Sequence, residues 1–150
     1  MKTVKFTLCL LLPIAAVTFA CSRAGVAASA DAADVADVER GRYLVERVGM
    51  CQDCHSPRDE KGQYLADKWL QGSPLPFAPT VPMPWTPVSK PIAGLPTLAP
   101  KEAEHFLSTG ELPGGRKVLP PMPEFRFSPE DARDIVAYLQ HPVAPTAAKQ

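Results

Sequence analysis

Cysteine is scarce in this 150-residue chain: there are four, and only Cys51 and Cys54 lie in the body of the sequence. A framework of several disulfides is therefore excluded. Internal repeats, heptad series and glycine-rich phosphate loops are also missing, which removes solenoids, coiled coils and nucleotide cradles from consideration. Net charge is absent too, with 16 basic and 16 acidic residues. Because Lys2, Lys5 and Arg23 all precede Asp31, a chain starting at Asp31 has 13 basic and 16 acidic residues. That acidic balance argues against nucleic acid or an anionic membrane as the main partner.

One apolar run stands out, Phe6 to Ala20. It follows Lys2 and Lys5, is too short for a membrane-spanning helix, and has the form of an export signal. Residues 1–30 are thus expected to be signal and short linker, with two competing cleavage positions. Ala28-Ser29-Ala30 before Asp31 has the small-x-small form that signal peptidase prefers. Cys21 after Ala20 resembles a lipobox, from which Thr18 and Phe19 depart, and cleavage there would give a lipoprotein. The expected location is the periplasm, free or tethered through Cys21.

Proline, by contrast, is abundant at 18 residues, and nine of these lie from Gly72 to Pro100. No long helix or central strand can form there. Leu75, Phe77, Val81, Trp85 and Ile92 give that stretch apolar surface, so we expect a collar wrapped round a cofactor, not a loose linker. A domain of about 31–141 with so thin a core needs something at its centre.

Three helices are legible. The first is expected from Asp34 to Val48, capped by Asp34, with Val35, Val38, Leu44, Val45 and Val48 as an apolar stripe. Gly41 in its interior implies an element packed very close. A second, shorter helix should span Pro100 to Ser108 and stop at Gly110. The last has the clearest start, Ser128 as N-cap with Pro129, Glu130 and Asp131 following, and Ala132, Ile135, Val136, Tyr138 and Leu139 as its apolar face. It should end near Gln140, leaving 142–150 as a disordered tail.

The chemistry resides in Cys51-Gln52-Asp53-Cys54-His55. Two cysteines three apart share one face of a helical turn, so both can add to the vinyl groups on one edge of a haem, and His55 can turn its imidazole to the iron. A thioredoxin-like dithiol would need an α/β surround that is not visible here. Zinc would need further ligands, and only His105 and His141 remain. Covalent haem c is the reading we adopt.

The second iron ligand must come from Met50, Met83, Met122 or His105. Met50 abuts the haem motif on its own side, Met83 sits in an extended segment, and His105 belongs on a helix surface. A thioether binds reliably only from a pre-positioned backbone, and Leu119-Pro120-Pro121-Met122-Pro123 is the stiffest loop on offer. Met122 is expected to be the distal ligand.

These residues together resemble the class I c-type cytochromes, in particular small cytochromes and cytochrome subunits that accept electrons from periplasmic dehydrogenases. The resemblance covers about Glu39 to Leu139. It rests on Gly41-Arg42-Tyr43-Leu44-Val45, the haem pentapeptide with His55-Ser56-Pro57-Arg58-Asp59, Ser108-Thr109-Gly110-Glu111-Leu112-Pro113, Pro120-Pro121-Met122-Pro123, and Asp131-Ala132 leading to Ala137-Tyr138-Leu139. It implies an all-α fold of three or more helices around one covalent haem, with Gly41 at the crossing of first and last helices and Tyr138 near it. Relatives often carry an Asn-Ile-Thr segment before the middle helix; here the chain reads Val88-Ser89-Lys90-Pro91-Ile92, a difference expected on the distal-side loop.

With His55 and Met122 both on iron, no position is open to substrate. The function expected is therefore single-electron transfer between a donor dehydrogenase and an acceptor cytochrome or oxidase, by a shuttle and not an enzyme. The alternatives are a dedicated cytochrome subunit of a dehydrogenase or oxidase complex and, last, a haem sensor or haem enzyme, for which no acid-base pair is legible.

Overall fold

The computed structural model describes residues 36–145, so the export signal, Cys9, Cys21 and the expected cap Asp34 lie outside the described residues. Among the described residues no strand forms, and no helix is long and apolar enough to cross a membrane. Helix α1 runs Val38–Tyr43 and passes directly into a π-helical turn, Leu44–Val48. Then come α2, Cys51–His55, a 3-10 turn at Ala66–Lys68, α3, Pro100–Thr109, and α4, Pro129–Gln140. The all-α fold expected from the sequence is the one observed.

The first helix starts later than expected and changes type before its expected end at Val48. Asp37, not Asp34, caps it: its Oδ1 accepts from Arg40 N at 2.9 Å, while its own N–H donates to Asp134 Oδ1 at 2.7 Å. A contact to α4, unreadable from local sequence, thus selects the start. The C-terminal half widens, with Gly49 N–H donating to Leu44 O at 2.7 Å, five residues back. A π turn advances fewer degrees per residue than an α turn, so it moves Val48 off the stripe. Val38 and Val48 are both exposed, whereas Gly41, Leu44 and Val45 are buried against the core.

The crossing of α1 with α4 explains Gly41. A Cβ there would lie 1.9 Å from the main-chain oxygen of Asp134, so the two backbones touch and only glycine fits. Arg40 reaches over the same crossing to Asp131, Nε to Oδ1 at 2.9 Å. One turn further along α4, Tyr138 is 2 % exposed and donates to Glu46 Oε1 at 2.8 Å, tying the two helices again beyond the crossing.

Helices α3 and α4 start and stop as their sequences indicate. Ser128 Oγ accepts from Asp131 N–H at 3.1 Å, and Ala99 N–H donates to Glu102 Oε2 at 2.9 Å. Ala103, Phe106 and Leu107 of α3 meet Ala132, Ile135, Val136 and Leu139 of α4 in one buried cluster, to which Trp69 and Leu70 add a third side. The tail expected to be disordered from Pro142 begins instead by packing back: Val143 O lies 3.2 Å from Tyr138 Oη and Ala144 lies against the core.

The proline-rich stretch is a collar held by backbone hydrogen bonds more than by buried side chains. Leu75 N–H donates to Pro87 O at 2.9 Å, Ser89 N–H to Ser73 O at 2.9 Å, and Ile92 N–H to Leu70 O at 2.9 Å. Ile92 packs on the core, and Phe77 meets Trp85 edge-on at 5.8 Å between ring centres. Phe77 and Val81 remain exposed, which departs from the packing expected of them.

Candidate functional site

Met50 adopts a left-handed conformation, φ +47°, and turns the chain from the π-helical segment into α2. Within α2, Gln52 is 8 % exposed and its Nε2 donates to Glu46 O at 3.0 Å, capping a carbonyl at the end of the preceding helix. The one-turn helix is thereby locked to the π-helical turn before it. It carries Cys51, Cys54 and His55 together, with both thiols free of any disulfide.

Burial pushes the Cys51 thiol up to about 11 and raises the Cys54 thiol as well. A reactive dithiol needs the opposite shift, since the thiolate is the nucleophile. The thioredoxin-like reading is thus disfavoured on electrostatic as well as topological grounds. Zinc fares no better: among the described residues no three His, Cys, Asp or Glu side chains converge to hold a metal ion.

His55 is buried at 8 % exposure, and its Nδ1 lies 2.6 Å from Lys90 O. A carbonyl can only accept, so Nδ1 carries the proton and Nε2 keeps its lone pair. Burial lowers the imidazole pKa and the Lys90 carbonyl partly restores it, which keeps the ring neutral near pH 7. Neutral imidazole with one nitrogen fixed is a metal-ready ligand.

Two serines hold this arrangement. Ser89 Oγ donates to Cys54 O at 2.5 Å and accepts from Ser73 N–H at 2.9 Å, and Ser56 Oγ accepts from Leu70 N–H at 2.8 Å. The segment Val88 to Ile92, expected on the distal-side loop, lies against Cys54 and His55 instead. Pro91 disfavours a helical conformation at Lys90, whose carbonyl faces the His55 ring.

Met122 is half-buried and packs against the core with Leu112, Val118, Phe125 and Phe127. The other candidates are placed differently: Met50 and Met83 are exposed at 53 % and 45 %, and His105 is exposed on α3. Phe125, three residues past Met122, approaches the haem motif, for a Cβ on Gly49 would lie 3.8 Å from its Cζ and 3.2 Å from Cys51 Sγ. Thr86 N–H donates to Pro120 O at 2.9 Å, joining the collar to the loop that carries Met122.

Three participants escaped the sequence: the Lys90 carbonyl, Ser89, and Trp85 as a donor. Main-chain carbonyls leave no trace in residue identity, and Ser89 becomes informative only once the collar is seen to pass behind Cys54. Trp85 Nε1 is buried and has no hydrogen-bond acceptor among the described residues. An indole N–H in that state calls for an acceptor. Haem brings two carboxylates, so the orphan donor, the neutral His55 ring and the two free thiols all fit that group.

An all-α domain that carries two thiols and a neutral imidazole on one turn, beside an ordered proline-rich collar, has the build of a carrier for a covalently attached redox group. The chain belongs to the cytochrome c family, whose model matches residues 38–142. Members bind haem c covalently and transfer electrons. The chain is also 39 % identical over 108 residues to a diheme cytochrome c-type protein of Cereibacter sphaeroides, a match covering 68 % of this chain and 34 % of that relative. It thus spans about a third of the relative's length.

Proposed function

We propose that this protein carries single electrons in the periplasm between a donor such as a dehydrogenase and a terminal acceptor, using one haem attached through Cys51 and Cys54. The observation that carries the reading is the His55 to Lys90 hydrogen bond, which leaves Nε2 for iron on the same turn as two uncrosslinked thiols. Bound there, haem supplies a one-electron ferric-ferrous couple. His55 would hold the proximal side, Met122 the distal side, and Trp85 would donate to a haem carboxylate. The Lys90 carbonyl keeps the imidazole proton on Nδ1 and would make the ring a stronger donor, while the Met122 thioether would favour ferrous iron and raise the potential. Two protein ligands would leave no position for substrate, which would separate a carrier from a haem enzyme or sensor.

The sequence contains one Cys-x-x-Cys-His pentapeptide, and the count of one haem rests on it. The apolar run Phe6 to Ala20 supports export, with lipid attachment at Cys21 as the tethered form. A second reading, a dedicated subunit of a dehydrogenase or oxidase complex, draws on the relative in which such a domain is part of a longer diheme protein. Co-purification from native membranes distinguishes it: a stoichiometric dehydrogenase partner selects the subunit, and recovery of the cytochrome alone selects the shuttle.

The ligand set is tested by Met122→Ala. The ferric variant is expected to lose the weak far-red sulfur-to-iron band and to have a lower reduction potential. Retention of the band would overturn the assignment and transfer it to Met83.

A further inference from the structure

The loop that carries Met122 is closed at its base by charge. Lys117 Nζ donates to Glu124 Oε2 at 2.9 Å, and Arg126 Nη2 donates to the same oxygen at 2.9 Å. One carboxylate oxygen thus joins the residue that enters the loop to the residues that leave it. Between them, Pro120, Pro121 and Pro123 have no amide N–H to contribute, so the loop is poorly supplied with hydrogen bonds of its own.

The base is seated on the end of α3. Gly110 ends that helix with φ +76°, and a Cβ on it would lie 2.4 Å from Arg126 Nη1 and 3.0 Å from Glu124 Cβ. Arg126 also donates from Nη1 to Phe125 O at 2.7 Å, and Phe127 N–H donates to Leu107 O at 3.1 Å. A guanidinium over the C-terminal turn of a helix is favourably placed in the field of its carbonyls. Bare glycine is what allows the ion cluster to lie this close to the helix.

We propose that Lys117, Glu124 and Arg126 form a clasp that positions Met122 toward the haem iron and sets how easily an outside ligand displaces it. The inference rests on Met122 being the distal ligand. Each pair is solvent-exposed and contributes little to global stability. Thioether occupancy is a different matter, because it is decided by competition between a weak bond and local opening of a short loop, where small closure energies are felt directly. These three are positioning residues; none touches the iron.

The test is titration of the ferric holoprotein with imidazole at low ionic strength, following the far-red band. Glu124→Gln should reach half-loss at about two- to five-fold lower imidazole, with the global denaturation midpoint nearly unchanged. Lys117→Arg, which keeps the charge, should behave as wild type. Added sodium chloride should move the wild type toward the Glu124→Gln value and leave that variant unmoved. A band that depends on Met122 but responds identically to imidazole and salt in wild type and Glu124→Gln would overturn the clasp alone. A wild-type protein without the band, or one that keeps it in Met122→Ala, would overturn the ligand reading and the clasp with it.

Discussion

His55 Nδ1 meets the main-chain carbonyl of Lys90 at 2.6 Å, and that carbonyl is held in place by its neighbour Ser89, whose hydroxyl bonds Cys54 O at 2.5 Å. The His55 imidazole is therefore oriented by a segment 35 residues downstream in the chain. Ser89→Ala removes the tie and leaves the Cys54 carbonyl and the Ser73 N–H short of a partner. It should lower stability by about 1 to 3 kcal/mol. It should also raise the reduction potential, because a looser Nδ1 hydrogen bond makes the ring a weaker donor to ferric iron. Denaturation and a spectroelectrochemical titration of the same preparation check both.

Gly41→Ala tests the helix crossing. The added methyl would sit 1.9 Å from Asp134 O, a backbone atom that cannot rotate aside, so α1 and α4 must separate. A loss of about 3 kcal/mol, at the upper end of overpacking costs, is expected from guanidinium denaturation of the holoprotein. An unchanged midpoint would mean the helices do not touch there.

Tyr138 links three elements through one hydroxyl, which donates to Glu46 Oε1 at 2.8 Å with Val143 O 3.2 Å away, and accepts from Trp69 Nε1 at 3.3 Å. Tyr138→Phe should cost about 1 to 3 kcal/mol by leaving the indole N–H unpaired. Burial, with Glu46 beside it, raises the phenol pKa well above its ordinary value of 10. A raised pKa means the folded state holds its proton while the unfolded state releases it, so this stability is intact below about pH 10 and is lost as pH rises beyond it. Unfolding free energies at pH 8 and pH 11 should therefore converge for wild type and variant; a constant gap would contradict the linkage.

Local signals made α3 and α4 legible, because Ser128, Pro129 and Gly110 act on their own neighbours and need no tertiary partner. The haem pentapeptide is equally local, since its spacing is its chemistry. What escaped the sequence depends on distance. Asp37 displaces Asp34 as cap because Asp134 binds its N–H, and Val48 leaves the apolar stripe because the helix widens before α2. The collar was legible as a collar, yet which side of the site it guards was set by the carbonyl of Lys90, which no residue type announces. Gly41 is the instructive middle case: its presence in a helix implied a close neighbour, and the structure supplies Asp134.

Extraction of the purified, matured protein with acidified organic solvent, followed by intact-mass and peptide analysis, bears most directly on the whole account. The pigment should stay with the polypeptide, which should weigh one haem more than its sequence, with the added mass on the peptide containing Cys51 and Cys54. Pigment that partitions into the solvent, leaving that peptide with two unmodified thiols, would contradict it.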